Sequence, residues 1–232
     1  MRLDKFLAHN TGLTRNQARR AIRRESVTVN GEAVHHVAAL LPENAVVSYN
    51  GTIIQNQGPQ YWMLHKPAGC VSATQDRQWP TARALLPADA ADDLHIAGRL
   101  DRDTTGLLLF SNDGTWTHHL TSPRRGCEKR YRLHTNTAIP HSAIADFAHG
   151  IMLHGEQRLT KPAKLCIIAP CQAELTLTEG RYHQVKRMLH SVGCEVTALH
   201  RLRIGGIVLD ATLAPGEARR LTDLERDSVA VE

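Results

Sequence analysis

Three short stretches hold the residues able to do chemistry. The first, GRLDRDTTGLLLFSNDG (98–114), sets one carboxylate, Asp101, before a polar turn and a short apolar run, Leu107 to Phe110. A charged, acceptor-only side chain at the mouth of a buried strand either closes a turn, a role Asp favours, or reacts. For a carboxylate, reaction means attack on carbon or proton transfer. The second, CEKRYRL (127–133), puts Tyr131 in a strand bordered by charges. Its ring can pack half-buried while its hydroxyl finds a partner. The third, TEGRYHQVKRML (178–189), runs from a strand through a glycine turn into a helix whose first turns carry Arg181, His183, Gln184, Lys186 and Arg187. Those cations also read as a solvated helix face.

Other chemistries lack their motifs. The chain has no GxxxxGK[ST], no GxGxxG after a strand and no HExxH. His35-His36 and His118-His119 are sequence neighbours, which do not share a helix face and make poor ligand pairs. The five cysteines form no CxxC pair, which argues against a zinc site and a disulfide framework alike. Any reaction is therefore expected to run on side chains alone, with no metal and no cofactor.

Elements must position these groups. In the last 170 or so residues, YWML (61–64), LLLF (107–110), RYRLHT (130–135), KLCIIA (164–169), AELTLT (173–178) and VTALHRLRIGGI (196–207) read as strands. Helices are expected at 81–86, 115–120, 141–149 and 182–191, the last with Val185, Met188 and Leu189 as its buried stripe. Helices this sparse rule out strict βαβ alternation. The pattern predicts an α+β class with a largely antiparallel sheet.

The front of the chain differs. Leu3, Phe6 and Leu7 predict a short helix over 2–10, and Thr14 with Gln17 forms a capping box for a second. Arg15, Arg19 and Arg23 then align four apart, flanked by Arg20 and Arg24. Asn30-Gly31 and Asn50-Gly51 predict hairpin turns beside VTV (27–29) and AVVSY (45–49). QNQGPQ (55–60) reads as a linker, giving a domain at 1–54 and another at 61–232. The formal net charge is +5; residues 1–25 hold seven Lys or Arg against two acids, and the remainder is balanced. A basic patch of this kind attracts a polyanion by counterion release. No apolar run approaches the roughly 20 residues of a membrane helix. With no signal segment and scattered cysteines, a cytoplasmic, monomeric protein is expected.

Several stretches together resemble the RNA pseudouridine synthases. GRLDRDTTGLLLFSNDG is similar to the family's catalytic motif; HKPAG (65–69), EKRY (128–131), EGRYHQVKRM (179–188) and HRLRIGG (200–206) resemble its other motifs, in the family's order. The front domain resembles the S4-like RNA-binding module of one branch. The resemblance implies a pseudouridine synthase fold and an isomerisation without cofactor. The uridine N1–C1′ bond breaks, the uracil turns over, and C5 joins C1′. Asp101 would be the catalytic carboxylate, either attacking C1′ or taking a proton from C2′. Lys186 would pair with Asp101 and keep it ionised. Tyr131 would pack on the uracil and Ile204 would line its other side. Arg99, Thr105, Arg181, His183 and Gln184 would bind substrate, with Arg102 and Arg187 as further phosphate partners. Lys5, Arg15, Arg19, Arg20, Arg23 and Arg24 would grip flanking RNA.

Lys186, where related large-subunit enzymes usually carry Arg, favours the type that modifies one uridine in small-subunit (16S) rRNA, in a ribosome assembly intermediate. The alternatives are a large-subunit (23S) enzyme, a non-catalytic assembly factor that kept the scaffold, and a nucleoside glycosidase. The last normally needs two flanking carboxylates.

Overall fold

The computed structural model describes residues 1–56 and 58–229. Its Cα positions group into two compact units, residues 1–60 with 89–94, and residues 61–88 with 95–232.

In the first unit, α1 (Leu3–Thr11) and α2 (Arg15–Arg23) precede four short strands, β1 (Val27–Val29), β2 (Glu32–Ala33), β3 (Val47–Tyr49) and β4 (Thr52–Ile54). The strands pair antiparallel in the order β2-β1-β3-β4. Leu3, Phe6 and Leu7 fall on one face of α1 and pack with Ala18, Ala21 and Ile22 of α2 and with Val27 and Val47 of the sheet. The capping box forms as its spacing predicts, Thr14 bonding Gln17 in both directions. Asn30 (φ 54°) and Gly31 (φ 89°) make the first hairpin turn, with both residues in the positive-φ region of a type I′ turn. Asp89–Leu94 groups with this unit although its neighbours in sequence belong to the other. There His9 Nδ1 lies 2.7 Å from Asp93 and Nε2 lies 2.9 Å from the Gly58 carbonyl.

The second unit holds β5 (Tyr61–Lys66), β6 (His95–Ile96), β7 (Thr105–Ser111), α3 (Gly114–Thr121), β8 (Lys129–Thr135), α4 (Ser142–His149), β9 (Lys164–Ala169), β10 (Gln172–Leu177), α5 (Gln184–Ser191), β11 (Val196–Ile204), β12 (Ile207–Val208), β13 (Ala218–Arg220) and α6 (Asp223–Asp227). Among the described residues its strands form one nine-stranded sheet, with main path β13-β5-β7-β11-β8-β10-β9. Every pairing is antiparallel except β7 with β11. The mixed α/β architecture and mostly antiparallel sheet match the expectation from sequence. The central β7 is apolar and buried along nearly its whole length, as a strand covered on both sides must be. Gly106 opens it at φ 103°, and a Cβ there would strike the Arg201 backbone. Only glycine allows β11 to approach so closely.

Two helix expectations change. The segment at 81–86 is a single 3₁₀ turn, Ala82–Leu85, capped by Thr81. Pro87 holds Leu86 extended and stops it. The helix expected from 182 begins at Gln184, because His183 is left-handed (φ 49°, ψ 33°) and breaks the spiral.

Candidate active site

Asp101 sits on the loop between β6 and β7, and side chains from three segments anchor that loop. Ser72 Oγ donates to the Leu100 carbonyl at 2.7 Å and accepts the Leu100 N–H at 3.0 Å. Lys66, fully buried at the end of β5, donates to the carbonyls of Pro67 (2.9 Å), Arg102 (3.3 Å) and Thr104 (2.8 Å). Arg201, 1% exposed on β11, donates from Nε to Leu107 O (2.8 Å), from Nη1 to Arg99 O (3.3 Å) and from Nη2 to Gly98 O (3.1 Å). Two buried cations thus hold the chain on either side of Asp101, their charge solvated by backbone dipoles. Burial pulls the Lys66 ammonium below its ordinary value, against the opposing pull of Cys70, Asp103 and Asp101.

Helix α5 brings the partners. Lys186 Nζ lies 3.4 Å from Asp101 Oδ2 and hydrogen-bonds Asp103 at 2.7 and 2.8 Å. His183 Nε2 lies 3.5 Å from Asp101 Oδ1. Burial would push the Asp103 carboxyl up, but its bonds to Lys186 win and hold it below the usual range. On β8, Tyr131 is nearly buried and pairs in register with Arg201, whose guanidinium lies 6.0 Å from its ring centroid. Lys129, two residues earlier, also lines the cavity and is pulled below its ordinary value by burial.

These groups face one cavity of about 910 Å³, within the size range of small-ligand sites. Asp101, Lys186, His183 and Arg99 share it with Tyr131 and with the apolar side chains of Leu199, Leu177 and Val185. Arg102 lies at its edge with its guanidinium 3.8 Å above the Trp79 ring, which explains a charged residue beside Asp101. Asp101, with two basic neighbours and next to an aromatic ring and an apolar wall, is placed to attack carbon or take a proton on a ligand whose flat, uncharged part packs on that wall. No group of three or more His, Cys, Asp or Glu placed to hold a metal occurs among the described residues.

Comparison with known proteins decides the family. A family model described as RNA pseudouridylate synthase matches residues 60–191, and an S4 domain model matches residues 1–47. The ribosomal small subunit pseudouridine synthase A of Escherichia coli K12 is 51% identical over 99% of this chain and 100% of its own length. That of Haemophilus influenzae is 45% identical over 97% of each. The chain belongs to the RNA pseudouridylate synthase family. A solved pseudouridylate synthase structure agrees in fold, with TM-score 0.73 and 44% identity over 99% of this chain and 100% of that one.

Within this synthase, Asp101, Tyr131, Lys186, Arg99, His183, Gln184 and Arg181 all line the cavity, but six of the expected side chains have neighbours that the sequence pattern did not show. Lys186 does not belong to Asp101 alone; its hydrogen bonds go to Asp103, and Asp101 sits slightly farther off. Arg181 is occupied by Glu156, Glu179 and two backbone carbonyls. Gln184, almost fully buried, closes the turn by accepting the Arg181 N–H and donating to Glu179. Thr105 bonds His200 (2.8 Å), and its neighbour Thr104 lines the cavity instead. Ile204 packs fully buried with Met63, Leu107, Leu109 and Trp116, and the apolar β11 residue on the cavity wall is Leu199. Arg187, offered as a phosphate partner, pairs with Glu156 and with the carbonyls of His154 and Tyr182. Asp103, Glu156 and His200 come from segments distant in sequence, whereas Gln184 bonds within its own motif, to Arg181 and Glu179.

Lys66, Ser72 and Arg201 were not singled out from sequence. Lys66 carried a readable signal, a lysine closing an apolar strand before proline in YWMLHKP. Arg201 lay within the quoted HRLRIGG, where alternation alone does not reveal that a guanidinium points inward.

In the first unit, Arg15 and Arg19 are partly committed. With Arg2 they converge on the buried Asp4 carboxylate at 3.0 to 3.3 Å. Burial would raise the Asp4 carboxyl, but the Arg19 and Arg2 hydrogen bonds outweigh it and hold it low. Lys5, Arg20, Arg23 and Arg24 are exposed.

Proposed function

We propose that this synthase converts one uridine of small-subunit (16S) rRNA to pseudouridine, with Asp101 as the catalytic carboxylate. The observation that carries the reading is the placement of Asp101, on a loop tethered by Lys66, Ser72 and Arg201, in a cavity shared with Tyr131 and Leu199. The relatives named for the small ribosomal subunit, matched end to end, support the choice of RNA. The target nucleotide must leave its stack to enter such a cavity, at a cost of a few kcal/mol. Phosphate contacts to exposed cations, Arg99 and Arg102 at the cavity and Lys5, Arg20, Arg23 and Arg24 on the S4-like domain, would offset it.

The reaction then needs little else. On one route Asp101 displaces uracil at C1′, and the N1–C1′ electron pair leaves on N1. On the other it removes the C2′ proton as uracil departs. The freed ring turns between Tyr131 and Leu199, and C5 bonds to C1′; on the first route this breaks the Asp101–C1′ ester bond and frees the carboxylate, and on the second Asp101 returns the proton to C2′. C5 loses its proton and N1 gains one, so no atom is gained or lost. Tyr131 is the candidate to move the C5 proton. The protein is expected to act as a cytoplasmic monomer on a partly assembled small subunit.

The test treats unmodified 16S rRNA, free and with ribosomal proteins bound, with the wild type and with Asp101→Asn, then maps pseudouridine. One modified site, absent with the variant, is expected. Equal modification by Asp101→Asn would remove Asp101 from the chemistry. Modification only of 23S rRNA would change the substrate, and release of free uracil would make the protein a glycosidase.

A further inference from the structure

Tyr182 stands at the cavity beside His183 and has no role in the mechanism above. It is 75% exposed, the most open aromatic side chain among the described residues. One face of its ring lies on the His183 imidazole, with centroids 3.8 Å apart and planes 18° apart. The other face is turned to solvent.

The ring is not held there by chance packing. His183 adopts the left-handed conformation, unfavourable for any residue with a Cβ, and such outliers persist where the surroundings impose them. The surroundings here are explicit. Arg187 Nη1 donates to the Tyr182 carbonyl at 3.1 Å, and the Arg181 N–H is bound by Gln184. Glu156 and Glu179 in turn fix Arg181 and Arg187. His183 therefore does two things at once, placing Nε2 3.5 Å from Asp101 and backing the Tyr182 ring.

Resting on the reading that a uridine of rRNA enters this cavity, a further requirement follows. Extruding one nucleotide strips a stacking partner from each neighbouring base. Proteins that bind unpaired RNA offer aromatic faces to such bases, and a pre-ordered ring does so at low entropic cost. We propose that the open face of Tyr182 is a stacking subsite for the nucleobase adjacent to the target uridine. Arg99 and Arg102, both exposed at the same cavity, are placed for the phosphates of that strand. Stacking does not read base edges, so this subsite would set the register of the strand more than its sequence.

The experiment uses the full-length protein and a 16S rRNA fragment carrying 2-aminopurine immediately 5′ or 3′ of the mapped uridine. Stacking quenches the probe. The wild type is expected to quench one of the two positions. Tyr182→Ala should lose that quench and raise KM roughly 5- to 100-fold, with the loss falling mainly on KM. Tyr182→Phe, which keeps the ring, should restore both. A quench and a KM in Tyr182→Ala within twofold of an active wild type overturn the subsite. A wild type that forms no pseudouridine in any rRNA overturns the functional reading first, and the subsite with it.

Discussion

Arg201→Met tests whether the buried guanidinium is what holds the catalytic loop. The substitution keeps much of the volume and removes all three hydrogen bonds, to Leu107 O at 2.8 Å, Gly98 O at 3.1 Å and Arg99 O at 3.3 Å. Bonds to a charged group contribute about 1.5–3 kcal/mol each. Two of these are long, so the low end applies, about 4.5 kcal/mol in all. Part of that returns because a cation no longer has to be desolvated. A net loss of about 3 kcal/mol remains, which for a domain of this size lowers Tm by roughly 6–12 °C. Two of the freed carbonyls lie two and three residues before Asp101, so the carboxylate loses its placement. A displacement of about 1 Å at a reacting group costs on the order of 100-fold in rate. Denaturant unfolding of the variant and single-turnover conversion of 16S rRNA measure the two effects, with binding assayed separately. Near-unchanged RNA affinity with a large drop in turnover is expected. Stability within about 1 kcal/mol of wild type together with turnover within tenfold would show that the loop is held by something else.

Asp103→Asn separates the two carboxylates that share Lys186. Asp103 is largely exposed, so its loss should cost no more than about 1 kcal/mol and leave Lys186 free for Asp101. Conversion should persist, in contrast to Asp101→Asn, and rate assays on both variants distinguish them. Gly106→Ala drives a Cβ into the Arg201 backbone at φ 103°, and thermal melting should show a loss of about 3 kcal/mol or more. His9 faces a carboxylate and a carbonyl, both acceptors, so the imidazolium is the form that satisfies them. The Asp93 hydrogen bond raises its pKa above 6.5, outweighing burial and the repulsion of Lys5. A raised folded-state pKa gives stability that is full below 6.5 and fades as pH rises through the higher folded value. Melting of wild type between pH 5.5 and 8.5 should show that decline, and His9→Gln should flatten it.

The features written in local order were legible without coordinates. Leu3, Phe6 and Leu7, the Thr14–Gln17 capping box, and Asn30-Gly31 act within a few residues, where spacing alone decides which groups can meet. The same holds for the apolar run after Asp101 and the stripe of Val185, Met188 and Leu189. The motifs around Asp101, Tyr131 and Lys186 were also readable, as a set of residue types in a given order.

What the tertiary structure alone decided is which of those groups are free. The run Arg181, His183, Lys186, Arg187 looks uniformly basic in sequence, yet Glu156 arrives through the fold and claims both arginines. Asp4 does the same to Arg15 and Arg19. Leu199 rather than Ile204 reaches the cavity, a choice that β11 alone does not reveal. Arg201 looks like an ordinary surface cation until the sheet buries it against the carbonyls before Asp101. For the charged groups the physical reason is the same. A charged side chain spans enough distance to take its partner from any segment that the fold brings near, and burial fixes that partner once taken.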